Sequence, residues 1–317
     1  MPDVVVDDRC FDYGAFNRKI KLKNGTKLFP TKGKPDIIDV KQGYTDLDCY
    51  FLAAIIAVLK HNPEKIIDCF PDYKGLSEEE VYAKFNSDKT IKIRFFKVKI
   101  IGDTYFPNGI IDIVVDKTAL RKKGVAWVRF LEKAYSIYKT KKCDGYGKEI
   151  PDKEFADKKI KSRIIDGIYG GDSGSAIVTL TGKKSHTEYL GTNRERSKFK
   201  KFDKYSEEAI ALYNRIERYL NSGKAVTASA NRGSTLYKKG LFFQHVYAVI
   251  GTEEKAGYKY FILKNPYANR SREYSVDSKG NYHSRTAIPK EEKDKGISLI
   301  EVNDFLRNFG DIGVEDD

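Results

Sequence analysis

Nine consecutive apolar residues, 50–58, follow Cys49. With its flanks the run makes a helix over 46–59, and a helix that is apolar on every face has no side to offer water. It must be covered from all directions, so the rest of the chain has to supply layers around it. Asp46 or Asp48 is placed to cap its start, and Asn62-Pro63 to end it. Cys49 then stands at the helix N-terminus, where unpaired N–H groups and the helix dipole favour a thiolate, the nucleophilic form of cysteine. The other reading of Cys49 is a small buried hydrophobe. The stretch alone leaves both open.

What surrounds this helix is read from periodicity. A second helix is expected over 76–85, with Ser77 as its cap and three glutamates in its first turn. Strands are expected over 91–100 and 111–115 with a turn at 106–109, then an amphipathic helix over 126–139. A polar stretch, 141–161, leads to a glycine-rich turn at 167–174. A helix over 206–221 precedes strands over 225–230, 244–251 and 258–264, and the chain closes on a strand and a short helix, 303–308. Helices dominate the first half and strands the second. That segregation implies an α+β fold of two subdomains, 36–165 and 166–317, after a lead-in over 1–35. With 317 residues, 40% of them apolar, the chain can fill such a core.

Composition narrows the function classes. The cysteines, Cys10, Cys49, Cys69 and Cys143, form no CxxC pair, which argues against a zinc site or a disulfide framework and fits a reducing compartment. No basic segment followed by an apolar core opens the sequence, so no Sec signal is expected, and no apolar stretch is long enough to span a bilayer. The expected setting is soluble: cytoplasmic, or exported by another route. The net charge is +13, with clusters at 117–123, 139–142 and 198–204. It suits an acidic partner or an anionic assembly, and equally a solvated lysine-rich surface; no specific nucleic-acid motif accompanies it.

A cysteine nucleophile needs a base, and the base needs an orienting partner. Of His61, His186, His245 and His283, only His245 lies in an apolar strand-like stretch. Asn265 ends the next strand, and a hairpin through the 252–257 turn would bring its amide to the imidazole and fix the tautomer. Gly171-Asp172-Ser173-Gly174-Ser175 resembles the nucleophile motif of chymotrypsin-like proteases. His61, the one upstream histidine, follows a helix rather than a strand, so a turn is the better reading.

These residues carry a family resemblance. Gln42-Gly43 through Cys49-Tyr50-Phe51-Leu52-Ala53-Ala54 resembles the catalytic-cysteine motif of calpain-type cysteine proteases. In the same order follow a strand ending in Asp116, a Trp127…Leu131-Glu132-Lys133-Ala134-Tyr135 helix, and a Gly170-Gly171 turn. His245-Val246-Tyr247-Ala248-Val249, Lys264-Asn265-Pro266-Tyr267 and Asp304-Phe305-Leu306…Phe309 complete the series. The match covers roughly residues 36 to 314. The resemblance implies a papain-like core, with the cysteine on a helix-rich subdomain and the histidine and asparagine on a β-rich one.

It further implies that Cys49 is the nucleophile, His245 the general base and acid, Asn265 the orienting group, and Gln42 an oxyanion-hole donor. The substrate would be a protein, cleaved as by a thiol endopeptidase. The gap between Gln42 and Cys49 is one residue longer than is usual in the family, which predicts a bulge. Tyr267 stands where the family has the tryptophan that shields the His–Asn contact, and Ala268 replaces a glycine. Leu28-Phe29-Pro30…Gly33-Lys34-Pro35-Asp36 resembles the lead-in of bacterial toxins and effectors, which implies a virulence effector acting in a target-cell cytosol. No cofactor is required; the family core can bind calcium, although no EF-hand loop is present and no ligands are placed. Two rivals stay open: a deamidase or transglutaminase-like modifier with the same triad, and a non-enzymatic binding module on a degenerate protease fold.

Overall fold

The apolar run forms helix α1, Cys49–His61, and every residue from Tyr50 to Leu59 is buried. In this computed structural model the described residues are 5–7, 20–42, 48–119, 124–142, 170–199, 204–230, 242, 244–267, 274–276, 282–284 and 296–317. Further helices are α2 (Pro63–Asp68), α3 (Glu78–Ser87), α4 (Ala126–Lys142), α5 (Ser173–Thr181), α6 (Asn193–Arg196), α7 (Glu207–Asn221) and α8 (Val302–Asn308). Strands are β1 (Val5–Asp7), β2 (Ile20–Lys21), β3 (Thr90–Ile101), β4 (Thr104–Asp116), β5 (Thr118–Ala119), β6 (Ser185–Tyr189) and β7 (Val226–Ala230). They continue with β8 (His245–Lys255), β9 (Tyr258–Lys264), β10 (Tyr274–Val276), β11 (Tyr282–Ser284), β12 (Ile297–Glu301) and β13 (Phe309–Glu315).

The fold is mixed α/β. Among the described residues nine strands form one sheet, ordered β1-β4-β6-β13-β7-β8-β9-β12 with β3 beside β4. All its neighbours are antiparallel except β1 and β4. Two apolar clusters flank it. One holds α1, α4 and the inward residues of β3 and β4, together with Ala225, Val246 and Ala248. The other holds α7, α8 and residues of β7, β8, β9 and β13. Strand alternation explains the split: Val246 and Ala248 face the α1 cluster while Tyr247 and Val249 face the other.

Several expected elements form where the sequence signals lie. Ser77 makes a capping box with Glu80 at the start of α3, and Ser206 caps α7. Pro63 does end α1, and it also opens α2, where its missing N–H costs nothing. Elsewhere the structure differs. The hairpin expected to turn at 106–109 turns instead at 102–103, and Pro107 lies inside β4 opposite Val98, beside a register shift. The bulge takes the proline, which cannot join a regular ladder. The Gly-Asp-Ser-Gly stretch is the N-terminus of α5: Asp172 accepts from the Ser175 N–H, and buried Ser173 bonds Thr227. Ser173 is thereby a packing residue. The 252–257 turn narrows to Ala256 and Gly257, both with positive φ, because β8 continues to Lys255. The expected linker 141–161 lies largely outside the described residues, as do Cys10 and Cys143. Among the described residues no helix is long and apolar enough to cross a membrane.

A buried ion pair ties two of the expected motifs together. The Lys133 side chain on α4 has no exposed surface, and its ammonium lies 2.6 Å from the Asp116 carboxylate that ends β4. Trp127 on α4 donates to Asp39 at 3.0 Å and so holds the 37–39 turn over the core. Removing the carboxylate strands the buried ammonium. Asp116→Ala is expected to cost about 3–5 kcal/mol, and Ile55→Ala about 2–5 kcal/mol by opening a cavity. Ile100→Ala, at an exposed strand end, should stay within about 0.5 kcal/mol. Urea unfolding of the three variants checks this ordering.

Candidate active site

The β8–β9 hairpin builds one half of the site. The register pairs Ala248 with Lys264 and Val249 with Leu263. Continued toward the start of β8, it sets Tyr267 across from His245 and leaves Asn265 diagonal to it on the same face. His245 Nε2 lies 2.8 Å from Asn265 Oδ1. The same oxygen accepts the Tyr267 main-chain N–H at 2.8 Å. A backbone N–H can only donate, so it fixes which end of the Asn265 amide is oxygen. An oxygen acceptor in turn requires the proton on Nε2, leaving Nδ1 with a basic lone pair. Asn265 has no exposed surface, and its Nδ2 is buried with no hydrogen-bond partner among the described residues.

Aromatic rings enclose the imidazole. Tyr267 stacks on it at 5.2 Å and 26°, and Tyr247 and Phe242 meet it edge-on at 4.9 and 5.7 Å. Tyr267 thus covers the His245–Asn265 contact, and Phe242 widens the cover at 5.5 Å from Tyr267. Phe242 is held by its own N–H, which donates to the Tyr247 hydroxyl at 2.7 Å. The sequence marked neither Phe242 nor Tyr247 for this role. Aromatic residues beside a strand histidine are the signal that was there to find. Gln244, just before the strand, has φ 51°, a left-handed conformation uncommon for a side-chain-bearing residue.

Cys49 is the first residue of α1 and is half-buried. The helix abuts β8, and the main-chain N–H of Val246 is directed at the thiol. Cys49 therefore meets the strand one residue from His245. The two side chains are not joined: Val246 faces the α1 cluster, while the His245 ring turns toward Tyr247 and Tyr267. Gln42 lies at the same corner, its N–H donating to Pro266 O at 2.9 Å. Residues 43–47, including Asp46 and the expected bulge before Cys49, lie outside the described residues. Asp48 occupies the cap position of α1 but makes no side-chain capping bond.

The protonation states correct one expectation. Of the two readings of the thiol, one has it acidified by the helix N-terminus. Burial instead pushes its pKa up to about 11, the Val246 N–H opposes this, and the neighbouring Asp48 carboxylate adds to it. Burial also holds His245 down to about 4, against the Asn265 hydrogen bond. Both groups are neutral at pH 7. Directly before Asn265, the buried Lys264 is held down to about 8 by burial and then by Lys41, with Asp36 opposing.

The remaining histidines lie elsewhere. His61 ends α1 half-buried rather than solvated, and burial lowers its pKa. His186 sits in β6 between Asp316 at 2.6 Å and Glu188 at 3.2 Å. His283 belongs to β11. Among the described residues no group of three or more His, Cys, Asp or Glu is placed to hold a metal ion. No protein-family model and no curated protein matches the chain.

Two measurements follow from the neutral pair. Iodoacetamide alkylation of Cys49 is expected to be slow at pH 7 and to rise steadily toward pH 11; a fast neutral-pH plateau that His245→Ala abolishes would contradict it. His245 binds its proton in the unfolded chain near the ordinary 6.5 but in the fold only near 4. The unfolded state binds more protons between those values. The contribution is therefore full above about pH 6.5 and lost as pH falls toward 4, with a ceiling of about 3 kcal/mol. Unfolding free energies of wild type and His245→Gln across that window should converge at low pH.

Proposed function

We propose that the protein is a calpain-like cysteine endopeptidase of papain-like topology, with Cys49 as nucleophile, His245 as base and acid, and Asn265 as the orienting group. One observation carries the reading: Asn265 Oδ1, its orientation set by the Tyr267 N–H, fixes the Nε2–H tautomer of a ring-enclosed histidine one residue from the Val246–Cys49 contact. The agreement of seven motifs in family order adds to it.

In this reading the free enzyme rests with both groups neutral. Binding of a peptide at the junction of α1 and β8 turns the Cys49 side chain toward Nδ1, the imidazole staying on Asn265. Nδ1 takes the proton as Sγ attacks the scissile carbonyl, and the oxyanion is met by the Cys49 main-chain N–H and the Gln42 amide. His245 then returns the proton to the leaving amine, and water drawn by the same nitrogen hydrolyses the thioester. A role as an exported effector acting on host proteins extends the reading, on the resemblance of the lead-in alone.

The test compares wild type with Cys49→Ala in a lysate by N-terminal proteomics, with and without calcium. New chain termini that require Cys49 are expected, and Asn265→Ala should lower their rate of appearance about 10- to 100-fold through loss of the correct tautomer and orientation. Cys49-dependent deamidation or cross-linking at glutamine would replace proteolysis by the modifier reading. A biological effect that survives in Cys49→Ala would favour the binding module.

A further inference from the structure

The end of the β3–β4 hairpin is apolar on both faces. Ile100 and Ile101, the last residues of β3, are 60% and 55% exposed, among the most exposed large apolar side chains described. The turn at Gly102 and Asp103 follows directly. Successive strand residues point to opposite faces, so the two side chains leave the ribbon in opposite directions. A flat protein surface laid against this strand end would cover one and leave the other in water. A bilayer entered by the strand end covers both.

The charges behind the isoleucines suit an anionic surface. Lys99 and Lys97 stand roughly 7 and 13 Å back along the strand from Ile101, at about 3.3 Å per residue. That is the depth at which lipid headgroups would lie if the tip entered the hydrocarbon. Lys184, just before β6, lies 5.5 Å from the Phe106 ring on β4, but its ammonium is paired with Asp316 at 3.4 Å. Asp103 is the carboxylate in the turn. It lies beside the Tyr189 hydroxyl, whose pKa it raises, so it is directed along the sheet toward β6. The net charge of +13 draws the whole molecule to the same kind of surface.

We propose that this hairpin end is a peripheral membrane contact: Ile100 and Ile101 enter an anionic lipid surface, and Lys97 and Lys99 rest on its headgroups. The inference stands apart from proteolysis, since none of its residues belongs to the Cys49–His245 site.

The test is co-sedimentation of the full chain with phosphatidylcholine vesicles, with and without phosphatidylserine. Binding to the phosphatidylserine vesicles is expected, weakened by salt. Ile100→Ser/Ile101→Ser should lower the affinity about tenfold, and Lys97→Glu/Lys99→Glu by a similar factor. The exposed positions leave thermal unfolding unchanged in both variants. Three results would overturn the proposal: no wild-type binding, binding that the isoleucine variant retains in full, or a wild-type dimer in sedimentation that the same variant dissolves. The last would assign the patch to a second copy of the chain.

Discussion

A helix with no polar face sets the terms for the rest of this molecule. Each of the ten residues from Tyr50 to Leu59 loses its water, and each Phe, Leu, Ile or Val side chain so buried contributes about 1.5–3 kcal/mol relative to exposure. To cover that helix the chain brings α5 to one side and β7 and β8 to another. The tight fit shows at Gly171, where an added Cβ would come within 2.5 Å of the Tyr50 ring. Burying α1 on all sides also fixes where its first residue emerges. Cys49 is set at the start of β8 because the hydrophobic residues behind it leave the helix no other position.

The second constraint is a single oxygen. Asn265 Oδ1 receives two donors, one from the backbone of Tyr267 and one from the ring of His245. The backbone bond makes the amide a rigid reference, and the imidazole inherits its tautomer and orientation from it. Three aromatic rings keep water from competing for that contact. The same enclosure has an opposing effect: it raises the free energy of any charge in the site. The histidine and the thiol are consequently neutral. In the proposed reaction, charge separation waits for a substrate.

Much of this was legible in the chain. The α1 run, the Ser77 cap of α3, the β8–β9 hairpin and the His245–Asn265 pairing all follow from local signals whose physics is short-range. Asn265 is the plainest case: two apolar strands with a glycine turn between them can meet in few registers. The failures are equally specific. The hairpin turns at 102–103 rather than 106–109, although Gly102 and Gly109 both take a positive φ, because the strand pairing continues past Pro107 across a register shift. The Ser173 stretch became a helix because Asp172 caps it and its apolar residues pack against α1 and β3. Phe242 was missed because its role is defined only by rings that lie beyond it in space.

By itself, then, the sequence determined which residues are apolar, which can cap or turn, and which side chains have the chemistry of a Cys–His–Asn site. Those depend on residue type and spacing. The tertiary structure alone decided the electrostatics and the facing of the site. Whether Cys49 behaves as a thiol or a thiolate depends on how completely β8 and its neighbours strip it of water, a sum over groups distant in the chain. Which way His245 turns its ring depends on strand alternation relative to two separate apolar clusters. Neither quantity is local, so neither could be read from the stretch of residues around Cys49.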